Sequence, residues 1–569
     1  MKGKNSKSTS KIFIIFTLFC FILIVFRTSY LALSTNIDGI NIKEFANDRT
    51  IVKTSIPASR GTIYDVNGDV LAQNVSSYTL IAYLDPERSK DQKKLYHVED
   101  KVTTAEKLST TIEMKKEDIL DILNQEGLYQ VEFGYAGKNL TEMEKEKIEA
   151  LSLPGIDFIE DEKRYYPNGD FASYTIGYAK KNEDGIITGE LGIEALLDSA
   201  LKGVNGEITY QKDRDGRKIA GTKELKVDAK NGDDIYLTID SNIELFVEQA
   251  LRENFGKYPS EWAVAVVADA KTGKILAASQ KPSYDPNILN IKNYMDITVS
   301  TPYEPGSIMK IYTYMAAMEK GTYDGTKTFL SGKYKLEDGT VINDWNPYGW
   351  GDITYDQGFY ASSNVGVINI VNNFIDKNIL KDYFKKAGFG EKTGITLANE
   401  QPGKISFTYE SEVYNAAFGH GITTTPIQHI QALTSIANDG VMLKPYIVDK
   451  VVNSDGEIIY NGEKTEVATI ASKKTTDYIK QLMYDTVHSS WNAATATMYR
   501  VPGYDVIGKT GTAQLVNANT GKYYTDNYNS IKSFVGMWPK DDPQIIIYIS
   551  AKKIIYGTSK PLYGSVKVL

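Results

Sequence analysis

The sequence predicts an α+β protein in three parts: one membrane-spanning helix, an elongated mixed module, and a larger domain with an antiparallel sheet, flanking helices and a helical subdomain. Three observations carry this. A long apolar run occurs once, near the N-terminus. Short alternating segments rich in charge and turn residues follow up to about residue 231. Beyond that point strand patterns stand at both ends of a mostly helical stretch, the pattern of one sheet built from N- and C-terminal parts around an insertion.

The apolar run is Ile12 to Phe26, interrupted only by Thr17 and continued past Arg27 to Leu33. Its length approaches the ~20 residues of a bilayer span, and Arg27 can snorkel to the interface. Lys2, Lys4, Lys7 and Lys11 precede it without an acidic residue. The positive-inside rule then places 1–11 in the cytoplasm, 12–33 in the membrane and the rest outside. A cleaved signal is the competing reading. Ala32-Leu33-Ser34 is a weak cleavage site, and bulky Phe19 before Cys20 argues against lipoprotein processing. An uncleaved anchor is the expectation.

Residues 34–231 read as a spacer. Ile63 to Ala72 is strand, Asn67-Gly68 turn, strand, and Ser77 to Leu84 is a further strand. Thr104 to Leu123 and Thr141 to Leu151 have helical periodicity with many charges. From residue 232 on, Ile235 to Ile239 is a strand and Asn242 to Asn254 a helix. Ala263–Ala268 and Ile275–Ala278 form a hairpin around Lys271-Thr272-Gly273. Helices and loops fill about 285–500. Strands return at Lys509–Leu515, Ser533–Trp538 and Ile545–Ile549, the last two joined at Lys540-Asp541-Asp542-Pro543.

Composition narrows the chemistry. The 569 residues are 42% hydrophobic and 24% charged, against disorder and against a polytopic membrane protein. Net charge is −8, so no overall basic field invites nucleic acid. One cysteine excludes an intrachain disulfide framework and a cysteine-cluster metal site. Four histidines include no HExxH, against a zinc hydrolase. Proton chemistry is left mainly to Lys, Ser, Tyr or carboxylates.

Ser-x-x-Lys places both side chains on one helix face, where a neutral lysine can take the serine proton. The motif is cheap: Ser8/Lys11, Ser199/Lys202, Ser307/Lys310 and Ser550/Lys553 all fit. Lys-Thr-Gly begins at Lys271, Lys392 and Lys509. Context selects among them. Ser307 follows the Tyr303-Glu304-Pro305-Gly306 turn and opens a helical segment to Lys320, so it would sit at a helix N-terminus suited to stabilising an oxyanion. Ser362-Ser363-Asn364 comes next. Lys509-Thr510-Gly511-Thr512 opens a strand with Lys509 and Gly511 on one face and Thr510 and Thr512 on the other. His420, on a glycine-rich loop, reads as loop packing, and Glu304 as turn and cap.

Ser307-x-x-Lys310, Ser362-x-Asn364 and Lys509-Thr510-Gly511 in this order resemble the active-site triplet of penicillin-binding proteins. Gly419-His420-Gly421-Ile422 to Gln428, and Asn438-Asp439-Gly440-Val441 to Lys444-Pro445, resemble further segments of that family. Arg60-Gly61-Thr62-Ile63-Tyr64-Asp65, Arg164-Tyr165-Tyr166-Pro167, Gly192-Ile193-Glu194 and Asp213 with Gly216 resemble the pedestal of its class B, the FtsI-like D,D-transpeptidases. The resemblance implies a pedestal of the dimerisation type at 34–231 and a transpeptidase domain at 232–569. Ile308, Met309 and His420 depart from the usual residues, and the C-terminal part from Lys560 to Leu569 is shorter than the family's usual closing helix.

The resemblance implies acyl transfer on peptidoglycan stem peptides ending in D-Ala-D-Ala. Ser307 would be the nucleophile and Lys310 its base. Ser362 would relay a proton to the leaving D-alanine, and Asn364 would hold Lys310 and the substrate amide. Lys509 would keep positive charge in the cleft and lower the pKa of Lys310. Thr510, Gly511 and Thr512 would bind substrate, the two threonine hydroxyls gripping its carboxylate. β-Lactams would acylate Ser307. Implied partners are a polytopic glycan polymerase of the FtsW/RodA class and other divisome or elongation proteins, with a septal role favoured. The alternatives are a D,D-carboxypeptidase or serine β-lactamase of the same fold, or a β-lactam-binding scaffold. No Glu-x-x-Leu-Asn segment of a β-lactamase is evident.

Overall fold

In the computed structural model, residues 5–34, 36–37, 40–41, 51–182, 185–212, 219 and 224–555 are described. Lys2, Lys4, Asp213, Gly216 and the segment 560–569 lie outside them. The chain forms two compact units, one of residues 1–58 with 203–231, the other of 59–202 with 232–569.

The first unit contains helix α1, Asn5–Leu33, the one described helix long and apolar enough to cross a membrane. Its polar positions are satisfied internally, as hydrocarbon requires: the Thr28 hydroxyl donates to Ile24 O at 2.7 Å. The unit also holds an antiparallel sheet in the order Leu225–Val227, Gly206–Gln211, Ile51–Ile56.

In the second unit, Ile63–Tyr64 and Val70–Tyr83 pair across the turn at Gly68, where φ is 91°. Ile156–Tyr165 runs antiparallel along Val70–Tyr83. This sheet continues into the C-terminal part, because Asp234–Leu237 pairs parallel with Ile63–Tyr64 and antiparallel with Val448–Val452. The helical pattern across Thr104–Leu123 is realised as two helices, Lys101–Leu108 and Lys116–Leu123. The break has a local cause. Ser109, Thr110 and Thr111 turn their hydroxyls back onto the carbonyls of Glu106, Lys107 and Leu108, the competition that makes these residues poor in helix interiors. A capping box of Thr141 and Glu144 starts the helix Glu142–Glu149.

Three sequence marks far apart in the chain meet in one buried ion cluster. The Glu194 carboxylate, fully buried, accepts from Arg60 Nε at 2.8 Å and Arg164 Nε at 2.6 Å. Arg60 Nη1 reaches Asp198 at 2.7 Å. The arginines are thereby paired and the cluster ties the strand entry at Arg60 to the helix at Glu194.

The C-terminal part is built around a five-stranded antiparallel sheet. After helix α2, Ser241–Lys257, come strands β1, Trp262–Asp269, and β2, Ile275–Lys281. Helices α3, Lys310–Glu319, α4, Tyr355–Tyr360, α5, Asn364–Asn373, α6, Pro426–Ala437, and α7, Lys473–His488, precede strands β3, Ile507–Gln514, β4, Ser530–Trp538, and β5, Ile545–Lys552. The order is β2-β1-β5-β4-β3, antiparallel throughout. The expected closure of one sheet from both ends of the segment is what forms, with β3 at the edge. Alternate residues of β1 serve opposite cores. Ala263, Ala265 and Val267 pack with Val247 and Leu251 of α2, whereas Val264 and Val266 join the large core that holds α3 and α6. α6 is buried along its whole length.

Candidate active site

Ser307 lies in a 3-10 turn, Gly306–Met309, that runs directly into α3. In such a turn positions i and i+3 eclipse, so Ser307 and Lys310 share a face. Glycine is required beneath the nucleophile. Gly306 has φ 62°, and a Cβ there would stand 2.4 Å from Thr512 O. Across the contact, a Cβ at Gly511 would meet the Ile308 side chain at 2.9 Å. These two glycines let the turn press onto β3. Ser307 is half-buried, and among the described residues its hydroxyl has no hydrogen-bond partner.

Lys310 is fully buried at the start of α3. Its ammonium donates to Ser362 O at 2.5 Å and to Asn364 Oδ1 at 2.8 Å, with Ser362 Oγ at 3.4 Å. Lys509, on β3 and also fully buried, donates to the same Ser362 Oγ at 2.8 Å and to Thr510 O at 3.0 Å. Four predicted side chains from three separate segments thus stand together, with Ser362 Oγ between two lysines.

Ser362 reaches this position through backbone strain. It sits in the short link between α4 and α5 with φ 55°, the left-handed region that non-glycine residues enter at a cost. Ser363, not Ser362, caps α5, its Oγ accepting from Gly366 N at 2.8 Å and donating to Asp344 Oδ1 at 2.9 Å. The division of labour leaves Ser362 free to face the lysines. Asn364 is fixed by Nδ2 donating to Asn343 O at 3.0 Å.

Burial lowers Lys310 to about 7, opposed by the charge of Asp344. Lys509 is also pushed well down, first by burial and then by the charge of Lys310. Burial lowers both lysines, and the charge of Lys310 adds to the lowering of Lys509. The reason is positional. Lys310 has Asp344 and the Asn364 carbonyl nearby, while Lys509 has a hydroxyl, a backbone carbonyl and the Phe359 ring at 5.8 Å. A carboxylate placed beside Lys509 would reverse the balance.

The substrate face of β3 alternates as expected, with Lys509 and Gly511 buried and Thr510 and Thr512 half-buried. The Thr510 hydroxyl is engaged with Thr495 Oγ1 at 3.0 Å. His420 packs beside the cleft, its ring 5.3 Å from Phe418. Its ring lies 4.9 Å from Tyr523, and burial together with Lys310's charge holds it down at about 4, against a backbone hydrogen bond to Thr512. Glu304 is not a helix cap. Its Oε1 accepts from Gly421 N and Tyr523 OH, each at 2.9 Å. Asp344 had no signal in the sequence. It is one carboxylate in a loop, and only the fold brings it to Ser363, to Val365 N at 3.0 Å and to Gly332 N at 2.8 Å. Lys271-Thr272-Gly273 and Lys392-Thr393-Gly394 stand apart in turns, with Gly273 and Gly394 both at positive φ.

A serine and a lysine one turn apart, faced by a second lysine on the edge strand of a helix-covered antiparallel sheet, are the arrangement of a serine-type acyl-transfer enzyme. Residues 263–558 match the penicillin binding protein transpeptidase domain, and 55–237 the penicillin-binding protein dimerisation domain. Stage V sporulation protein D of Bacillus subtilis is 30% identical over 552 residues, spanning 94% of this chain and 80% of that protein. The probable peptidoglycan D,D-transpeptidase PenA of Neisseria meningitidis is 27% identical over 92% of this chain and 84% of its own length. The structure of penicillin binding protein 2X from Streptococcus thermophilus has a TM-score of 0.73 at 30% identity, covering 88% of this chain and 77% of that one. The chain belongs to the class B penicillin-binding proteins.

Proposed function

We propose that this protein cross-links peptidoglycan stem peptides through an acyl-enzyme on Ser307, with Lys310 as base. The observation that carries the reading is the convergence of two fully buried lysines on Ser362 Oγ. Lys310 at about 7 is substantially neutral at physiological pH, as a general base must be. It takes the Ser307 proton as Oγ bonds to the carbonyl carbon of the penultimate D-alanine. Backbone N–H groups of Ser307 and Thr512 receive the oxyanion. As the C–N bond breaks, the proton passes through Ser362 to the leaving D-alanine. The amine of a second stem then attacks the acyl carbon, and Ser307 leaves with its proton restored.

The leaving carboxylate lies against Lys509, Thr510 and Thr512. The arriving carboxylate favours the charged form of Lys509. The extended peptide lies against the free edge of β3, adding a strand to the sheet. β-Lactams acylate the same serine. Residues 34–231 serve as pedestal and 232–569 as the transpeptidase part. α1 anchors the chain, with 1–11 cytoplasmic and the bulk outside, beside a polytopic glycan polymerase in septal synthesis.

Fluorescent penicillin should label the full chain on Ser307, read by mass spectrometry of the acylated peptide, and Ser307→Ala should abolish labelling. Label on another serine would sink the assignment. Rapid turnover of the penicillin would favour a β-lactamase.

A further inference from the structure

Three of the five tryptophans meet beside the cleft. Trp345 and Trp350, on the loop before α4, have ring centroids 5.3 Å apart, and Trp350 lies 6.1 Å from Trp491. Trp350 and Trp491 are partly buried against the core, whereas Trp345 is 58% exposed and its loop neighbour Tyr348 is 95% exposed. The cluster is locked to the catalytic residues. Trp345 Nε1 donates to Ala361 O at 2.8 Å, the residue before Ser362. On the Trp491 loop, Thr495 donates its hydroxyl to Tyr360 O at 3.2 Å and accepts from Thr510 Oγ1 at 3.0 Å.

The place of this shelf matters. In the proposed reading the donor's carboxylate sits near Lys509 and Thr510, and its reacting carbonyl near Thr512. The donor peptide therefore extends along β3 toward Gln514, away from the tryptophans. The shelf borders the opposite end of the cleft, which the second substrate must use. Its form is also selective. It is an edge-to-face cluster that leaves the Trp345 ring exposed at the surface, and the Trp345 N–H is already spent on a carbonyl. An apolar ligand needs enclosure to leave water. A pyranose ring has one C–H face for an aromatic π-system and a hydroxyl rim that stays solvated.

We propose that Trp345 and Tyr348, backed by Trp350 and Trp491, form a saccharide subsite that stacks on an N-acetylated pyranose of the acceptor glycan strand. This rests on the transpeptidase reading and names where its second substrate is held. An extended stem of a few residues, at about 3.3–3.6 Å each, links such a sugar to the attacking amine.

The test uses the full chain in detergent micelles and the N-acetylglucosamine tetramer, which has the sugar and no peptide. Calorimetry should show saturable binding. Trp345→Ala should weaken it at least tenfold. Tyr348→Ala, which disturbs no hydrogen bond of the cleft, should weaken it at least threefold. Absence of binding by the unmodified chain, or equal affinity in both variants, overturns the subsite. So does displacement of the tetramer from Trp345 by an apolar amide such as phenylacetylglycine with higher affinity. Penicillin labelling of the same preparation reports separately on the transpeptidase reading, so the two can fail independently.

Discussion

Replacing Lys310 by methionine should destroy acylation, and its effect on stability should become less favourable as pH rises. Lys310 drops from its ordinary 10.5 to about 7 when buried. Below pH 7 it is protonated in folded and unfolded chains alike, so the burial penalty stands in full. Between 7 and 10.5 the unfolded chain holds the extra proton and folding gains stability with pH, by up to 1.36 kcal/mol per unit. The penalty is then about 4 kcal/mol at pH 7 and about 2 kcal/mol at pH 9. Methionine escapes it but leaves Ser362 O and Asn364 Oδ1 without their donor, at about 1–3 kcal/mol each. The net sign at one pH depends on that balance, whereas the change with pH does not. Loss of the Lys310 charge also relieves Lys509, most at the lower pH, which adds to the same trend. Thermal unfolding of the variant and the unmodified chain at pH 7 and pH 9 measures the difference. Acylation by penicillin should fall by about 10²–10⁴ in the variant. A stability difference that stays constant from pH 7 to pH 9 would refute the claim that Lys310 loses its proton in the folded protein.

The second-order rate of penicillin acylation in the unmodified chain should rise with pH through about 7, following neutral Lys310, and a flat profile from pH 5.5 to 8.5 would exclude that base. Gly306→Ala should cut labelling by more than tenfold, since the added Cβ meets Thr512 O at 2.4 Å on a backbone of positive φ; circular dichroism checks that the variant is folded. Glu194→Gln should lower stability by about 3–5 kcal/mol, because it takes the carboxylate from buried Arg164 and leaves buried Arg60 with Asp198 alone. Denaturant titration reads that loss.

Much of the site was legible because its chemistry is local in sequence. Ser307 and Lys310 are one turn apart, Ser362 and Asn364 share a helix start, and Lys509 opens a strand. What stayed hidden depends on chain closure. Asp344 acts only where its loop meets the start of α5. The lowering of Lys509 depends on its burial and on Lys310 beside it, a fact of three dimensions. His420 is drawn into the cleft by the turn at Gly306, whose N–H donates to Gly419 O at 3.1 Å. The fold class and the closure of the sheet followed from strand patterns at both ends of the segment. The break at Ser109–Thr111 did not, since apolar periodicity continues through it while the hydroxyls end the helix.

The sheet that joins Ile63–Tyr64 to Asp234–Leu237 also limits how this protein can be recombined. A crossover between two relatives placed at residue 231 would combine one parent's strand with the other's partner, and put Arg60 and Glu194 on one side of the exchange with the C-terminal sheet on the other. The exchangeable module is therefore not the segment that linear order suggests. A chimera that keeps Asp234–Leu237 and Val448–Val452 with the donor of Ile63–Tyr64 takes these three paired strands from one parent.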